Sequence, residues 1–397
     1  MTPLLVSAYT LTTCLGRGLA VTLAKLRDGS SGLAPCAFET VELDTWIGEV
    51  AGVDEQRLPP TLARFDCRNN RLAQLALTAD GFTERLLAAR DRYGRDRVGI
   101  FLGTSTAGIL QAELAYRRRD PHSGALPDDF SYCGTHNPFS LAAFARELFA
   151  LAGPAVAVST ACSSGAKTFA AAARQIACGT IDAALVGGVD SLCLTTLYGF
   201  ASLELTSSDP CRPYDVARNG ISIAEGAAFA LLERAPAAAT PGAILLLGCG
   251  ESSDAYHMSS PHPQGLGAQM AMAAALDSAG LAPADIDYIN LHGTATPSND
   301  AAEGKAVAAL FGDGVACSST KGATGHTLGA AGAVEAVICA LVLTHGLLPG
   351  SPHTLTPDPA IPLDYQLRAR AGRLRRVLSN SFGFGGSNCS LVFGLTP

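Results

Sequence analysis

Short apolar runs alternate along the chain with longer stretches in which apolar residues recur at helical spacing. PLLVSAY, RVGIFLG, AVAVST, AALVGG and IDYINL are nearly continuous in apolar character and are separated by helical segments, the pattern of buried strands in an α/β protein. ERAPAAATPGA, residues 233–243, is rich in Pro, Ala and Gly and falls between the strand-like runs FALLE and AILLLG. It marks a boundary between an N-terminal half, 1–235, and a C-terminal half, 243–397. The helical stretch AQMAMAAALDSAG ends on Gly280, where a C-cap glycine is expected. A longer echo links the halves. AVAVSTACSSGAKTFAAAARQIACG and VACSSTKGATGHTLGAAGAVEAVICAL share one plan, a small-residue turn leading into an Ala-rich helix. If the halves pack face to face, the two helix entrances converge on one pocket.

Composition changes this picture in three respects. With 397 residues, 48% hydrophobic and 16% charged, the chain can bury a core large enough for two units of ordinary domain size. A net charge of −7 argues against nucleic acid or an anionic membrane as partner, so an acidic protein partner would need a local basic patch. MTPLLVSAYTLTT lacks a basic leader region, and no apolar run is expected to reach the ~18 residues of a membrane span. The expectation is a cytoplasmic protein. None of the twelve cysteines stands in a C-x-x-C pair, so neither a zinc site nor a disulfide framework is suggested, and no metal or other cofactor is expected.

One cysteine stands apart. In VSTACSSGAK, Cys162 sits between an apolar strand and an Ala-rich helix, where the helix dipole and free N–H groups favour a thiolate nucleophile. The alternative is a small buried residue in a tight turn. A cysteine nucleophile needs a partner that handles protons, and two of the eight histidines lie at strand-to-helix turns: His292 in LHGTATPSND and His326 at the end of KGATGH. Each could equally be a hydrogen-bonded structural residue. Lys321 is one of only four lysines against twenty-four arginines and lies five positions before His326, which suggests that an ammonium is wanted there. NSFGFGGSN, residues 380–388, reads either as a hairpin or as a glycine loop presenting N–H groups to an oxyanion while a phenylalanine gates an apolar pocket.

In order and spacing, TACSSG, HGTATPSND, KGATGHTLGAAG and NSFGFGGSN resemble the β-ketoacyl-acyl carrier protein synthases of the elongating Cys-His-His type, with CRPYDVARNG, AEGAAFALLE and DAYHMSSP as further family-like stretches. The resemblance implies a thiolase-like fold, a five-layered α-β-α-β-α sandwich of two pseudo-symmetric halves, usually dimeric. It implies decarboxylative Claisen condensation of malonyl-acyl carrier protein with an acyl group held on Cys162. His292 and His326 would stabilise the enolate, with Lys321 and the buried carboxylate Glu335 in support. The N–H groups of Cys162 and Phe384 would form the oxyanion hole, and Thr294 and Thr296 would hold the pantetheine arm. Thr106 would line the far end of the acyl channel, which Phe139 beside Pro138 would close from a partner chain. Arg64, Arg68 and Arg71 would present one basic helix face to the acidic carrier protein.

Related classes read differently. Initiating synthases pair the cysteine with one histidine and one asparagine, chain-length-factor subunits lack the nucleophile, and a degradative thiolase wants a second cysteine near the C-terminal glycine loop, after which Cys389 lies. SAYTLTTCLG lacks the V-x-T-G-x-G start of housekeeping enzymes, and SLELTSSDPCRPYD is shorter than their corresponding loop. Both features look like synthases of aryl polyene clusters, which work beside a catalytically dead, chain-length-factor-like subunit. The partner is thus an identical chain or such a subunit. A housekeeping fatty-acid synthase and a thiolase-fold partner without condensing activity remain as alternatives.

Overall fold

A computed structural model describes residues 1–236 and 240–396. The first half contributes strands β1 (Leu4–Thr13), β2 (Val98–Gly103), β3 (Ala155–Val158), β4 (Ala183–Asp190) and β5 (Gly226–Arg234). The second contributes β6 (Ile244–Ser253), β7 (Tyr288–Asn290), β8 (Ala316–Ser318), β9 (Arg376–Gly383) and β10 (Ser387–Leu395). Their order is β3-β2-β4-β5-β1 in the first set and β8-β7-β9-β10-β6 in the second, one topology used twice. Even the directions repeat: β2 lies parallel to β3 and β4 and β5 runs antiparallel to its neighbours, as do β7 and β10 in the second set. The sets join antiparallel at Leu4↔Leu246 and Leu5↔Leu245, giving one continuous ladder. Of the anticipated linker, residues 237–239 lie outside the described residues.

Helices separate the layers. On the outer face of the first sheet lie α1 (Arg68–Leu77), α2 (Phe82–Tyr93) and α3 (Phe139–Leu148), packed on β1, β2, β4 and β5 through an apolar cluster that includes Leu72, Phe82, Phe144 and Phe229. On the outer face of the second lie α5 (Leu266–Ala279), packed on β6 and β10, and α6 (Pro297–Phe311) beside it. Between the sheets run α4 (Ser164–Ala177) and α7 (Ala331–His345), packed on each other and on both sheets. This is the five-layered α-β-α-β-α sandwich, with its largest apolar cluster in the middle layer.

The middle helices explain a departure from expectation. Leu328–His345 is long and apolar enough to cross a membrane, so the chain does hold one such stretch, yet 89% of it is buried inside the fold. It is apolar on all sides because it meets protein on all sides. Where α4 and α7 begin they approach closely: a Cβ on Gly165 would fall 2.7 Å from Ala333 N, and one on Gly332 would fall 2.6 Å from Ala166 N. Glycine at both helix entrances lets the equivalent turns of the two halves, after β3 and after β8, meet face to face.

Candidate active site

Cys162 stands in the turn between β3 and α4. Ala161, just before it, holds a left-handed φ of 54°, a conformation that non-glycine residues adopt at a cost. The turn is tied down by Thr160 N–H donating to Ser164 Oγ (2.8 Å) and Ser164 Oγ–H donating to Ala161 O (2.6 Å). α4 begins at Ser164, so the thiol is at its entrance, but only 5% of Cys162 is exposed. Burial is the largest influence and pushes the thiol up to about 11; Lys321 and the Phe384 N–H pull it down, while Asp190 and Glu335 raise it. The expectation that the helix entrance yields a resting thiolate is therefore corrected: desolvation outweighs the dipole, and the group rests as a thiol at neutral pH.

Two imidazoles face it from the second half. His326 Nε2 lies 3.0 Å from Cys162 Sγ. Its backbone is clamped by Ser222–Ala224, His326 N–H donating to Ser222 O (2.8 Å) and Ala224 N–H to His326 O (3.0 Å). His292 follows β7 with its ring perpendicular to that of His326, centroids 5.5 Å apart. Burial holds both well below the usual histidine range, the nearby Lys321 charge adding to the effect. Both rings are neutral at physiological pH.

Lys321 opens a single helical turn, Lys321–Thr324, and is 1% exposed. Its ammonium donates to His292 O (2.6 Å), lies 3.3 Å from His292 Nδ1 and pairs with Glu335 of α7. An ammonium has no acceptor to offer, so Nδ1 of His292 accepts and the ring proton is on Nε2, toward the cavity. Burial pushes the Glu335 carboxyl up to about 7 against the pull of Lys321. The donor atoms of Cys162, His292 and His326 lie within 4.8 Å of one another, a spacing that could hold a metal ion. The second ring nitrogen of His292, however, meets an ammonium where a metal-bound histidine normally donates to a carboxylate or carbonyl. A fixed positive charge there does not suit a cation.

Sequence reasoning missed the carboxylates beneath these loops. Glu303 on α6 accepts the N–H groups of His292 and Gly293, both at 2.8 Å, and Asn380 Nδ2–H at 3.1 Å. Asp300 accepts Tyr214 N–H (2.8 Å) and Ala295 N–H (3.2 Å). The available signal was the pair of acids three apart in the helix that follows HGTATP. Phe200 was also missed; its ring packs at a tilt against Phe384, centroids 5.6 Å apart, in the wall of the nucleophile's cavity.

That cavity has Cys162, His292 and His326 in its wall together with Thr294, Thr296, Phe200 and Phe384. Thr294 and Thr296 hydroxyls lie 3.0 Å apart, and Thr296 caps α6 by accepting Asn299 N–H. Phe384 begins the tight turn Phe384–Gly386 between β9 and β10, so NSFGFGGSN is both a hairpin and a glycine loop.

Other expected residues fall elsewhere. Thr106 does not line the cavity: it is 1% exposed, and its hydroxyl donates to Asp190 Oδ1 (2.8 Å) and accepts Ser191 N–H (3.1 Å). A buried hydroxyl turns to an anion rather than to an apolar channel. Phe139, 36% exposed, opens α3 on the outer layer, under the guanidinium of Arg146. The three arginines do not form one helix face. Arg64 belongs to the 3₁₀ segment Pro60–Phe65 and pairs with Glu147. Arg71 on α1 pairs with Asp66. Arg68 is no surface residue at all: it is 3% exposed and bonded to Glu225 (2.7 Å), Asp54 (2.9 Å) and Glu49 (3.0 Å).

Comparison with known proteins gives consistent matches. Residues 62–238 match the family model "Beta-ketoacyl synthase, N-terminal domain" and residues 244–355 match "Beta-ketoacyl synthase, C-terminal domain". The 3-oxoacyl-[acyl-carrier-protein] synthase 2 of Staphylococcus aureus strain N315 is 33% identical over 341 residues, 82% of each chain. Among solved structures, the ketosynthase ApeO in complex with its chain length factor ApeC from Xenorhabdus doucetiae is 36% identical with a TM-score of 0.90, covering 100% of this chain and 98% of that one. A beta-ketoacyl synthase from Burkholderia phymatum STM815 is 30% identical with a TM-score of 0.89 over 100% of both chains.

Proposed function

The chain belongs to the β-ketoacyl synthase family; it is a carbon–carbon bond-forming acyltransferase, a β-ketoacyl-acyl carrier protein synthase, and from that premise we propose how its residues share the reaction. The acyl group passes from the carrier-protein thioester to Cys162 Sγ, and the carrier leaves as a thiolate that takes a proton from solvent. The observation that carries this assignment is the 3.0 Å approach of His326 Nε2 to Sγ. Because the thiol rests protonated, its proton leaves toward His326 as the sulfur attacks. The Phe384 N–H, already directed at the sulfur, is one oxyanion donor, and the Cys162 N–H is the other; one such donor is worth ~3 kcal/mol in a transition state.

Malonyl-carrier protein then enters through the Phe200–Phe384 mouth, its pantetheine arm beside Thr294 and Thr296. The malonyl C–C bond breaks, CO2 leaves and the electron pair becomes an enolate. His292 Nε2–H and His326 Nε2–H donate to its oxygen. Lys321 fixes the His292 tautomer, and Glu335 holds Lys321 in place. The enolate carbon attacks the acyl carbonyl, the thioester bond to Cys162 breaks, and the sulfur takes back from His326 the proton it gave up.

The likeness to ApeO, with its chain length factor, supports elongation of fatty-acid-like or polyene chains beside a chain-length-factor-like subunit or a second copy of this chain. The halves 1–235 and 243–397 supply the nucleophile and the proton-handling groups respectively, and cytoplasmic work beside a carrier protein fits that role. For docking, the surface groove that holds Arg71 and Arg118 also holds their ion-pair partners Asp66 and Asp129, so it offers no net basic patch to an acidic carrier. The test is to purify the protein with its co-purifying subunit, incubate it with acyl-carrier protein and read the acyl group on Cys162 by mass spectrometry. An acyl adduct absent from Cys162 overturns the assignment.

A further inference from the structure

Asp190, at the end of β4, is fully buried and outside the wall of the Cys162 cavity, yet five donors converge on its carboxylate. Its Oδ1 accepts Thr104 Oγ1–H (2.7 Å), Ser105 N–H (2.8 Å), Thr106 N–H (2.9 Å) and Thr106 Oγ1–H (2.8 Å) from the loop after β2. Its Oδ2 accepts Gly329 N–H (2.5 Å) from the other half of the molecule. Gly329 stands three residues after His326, beyond Leu328 with its left-handed φ of 51°. The approach requires glycine: a Cβ on Gly329 would fall 2.6 Å from Ser105 Oγ and 2.7 Å from Asp190 Oδ2.

The two oxygens therefore do different jobs. One gathers the Thr104–Thr106 loop of the first half; the other holds the turn that carries His326 in the second. The Ser222–Ala224 clamp fixes the His326 backbone itself, and the buried turn that follows is closed by Ala330 N–H donating to Thr327 O (3.0 Å) and held to the first half by the Asp190 bond at Gly329. The outer end of the same loop is tied in turn to the segment Tyr132–His136, Gly108 N–H donating to Thr135 O (2.9 Å).

We propose that Asp190 is a positioning residue for the condensation, holding His326 at its distance from Cys162 through Gly329 and tying that distance to the Thr104–Thr106 loop. This rests on the assignment of His326 as the partner of Cys162. Burial raises the Asp190 carboxyl above the usual aspartate range, although the donors of the Thr104–Thr106 loop oppose it. A misplacement of about 1 Å at a reacting group can cost ~100-fold in rate, so a single lost bond at Gly329 is enough to matter.

Asp190→Asn separates the two jobs. Its amide oxygen still serves the loop, but its NH2 group faces the Gly329 N–H, donor against donor. The intact protein, with its partner subunit, is assayed well below its melting temperature with acyl- and malonyl-carrier protein. The expected result is a kcat lowered about tenfold or more with the KM for carrier protein unchanged. In a His326→Ala background the same substitution adds little, because Asp190 acts through His326. Thr106→Val combined with Thr104→Val, which removes two donors and leaves the carboxylate in place, lowers kcat less and with the same dependence on His326; it carries the test if Asp190→Asn fails to fold. A wild-type kcat in the variant that folds, or a loss that multiplies with that of His326→Ala, overturns the proposal. A wild-type protein that makes no condensation product speaks against the assigned reaction instead.

Discussion

Single residues here answer first to burial. Cys162 would read as a thiolate from its place at a helix entrance, but with 5% exposure desolvation prevails, and nucleophilicity depends on delivery of the proton to His326. Cys162→Ala should abolish both acyl-enzyme formation and condensation, whereas Cys178→Ala, an exposed site, should leave both unchanged by intact-mass labelling and product assay. Arg68 shows the same principle with a charge. Its guanidinium neutralises Glu225, which is itself buried and accepts Val50 N–H and Leu192 N–H. Arg68→Ala should destabilise the protein by roughly 3–5 kcal/mol, because a buried carboxylate is left uncompensated. Chemical denaturation measures this, and a change of less than about 1 kcal/mol would show that Glu225 finds other partners. The histidines give a pH signature. Both are held below their unfolded value near 6.5, so the unfolded chain binds more protons beneath that pH and their contribution to stability is lost as pH falls through it. Glu335, raised to about 7, works in the opposite direction between about 4.5 and 7. The difference between wild type and a His292→Asn/His326→Asn variant isolates the histidine part: from pH 8 to 5.5 the wild type should lose more melting temperature than the variant.

At the scale of elements, what matters is how closely two helix entrances can approach. The echo in the sequence identified α4 and α7 as equivalent, and the repeated strand order places them in the shared middle layer. Their closeness comes from Gly165 and Gly332, at each of which a methyl group would press on backbone nitrogen of the opposing helix. Gly332→Ala should therefore cost about 1–3 kcal/mol of stability and lower condensation by widening the gap between Cys162 and His326. Thermal melting and kcat together check this; a stable, fully active variant would mean that the helices can part without moving the site. Glu303 is a second element-scale device. It stands on α6 yet fixes the loop after β7, so the His292 main chain is set by a helix that follows it in sequence.

For the whole molecule, the open edge of the sheet bears on partnership. Among the described residues β3 has a neighbour on one side only, and Val156 on it is 39% exposed, so the strand offers unpaired backbone and apolar surface to a second subunit. Val156→Pro should shift the assembly toward single chains in analytical ultracentrifugation, and an unchanged sedimentation coefficient would place the interface elsewhere. Much of this was legible beforehand. The sequence alone determined the α/β class and pointed to a duplicated plan, because strand periodicity and turn composition are local properties, whereas the grouping of Cys162, His292, His326 and Lys321 came from the order of motifs shared with a known family. Burial was not legible, and it reversed several readings: Arg68 turned from docking surface to ion-pair centre, Thr106 from channel wall to a ligand of Asp190, and Cys162 from thiolate to thiol. Asp190, Glu303 and Asp300 went unnoticed for the same reason. What a side chain meets across two packed halves depends on contacts between residues more than a hundred positions apart, as Asp190 meets Gly329, and only the tertiary structure, by excluding water from those contacts, decides which groups stay charged and where they point.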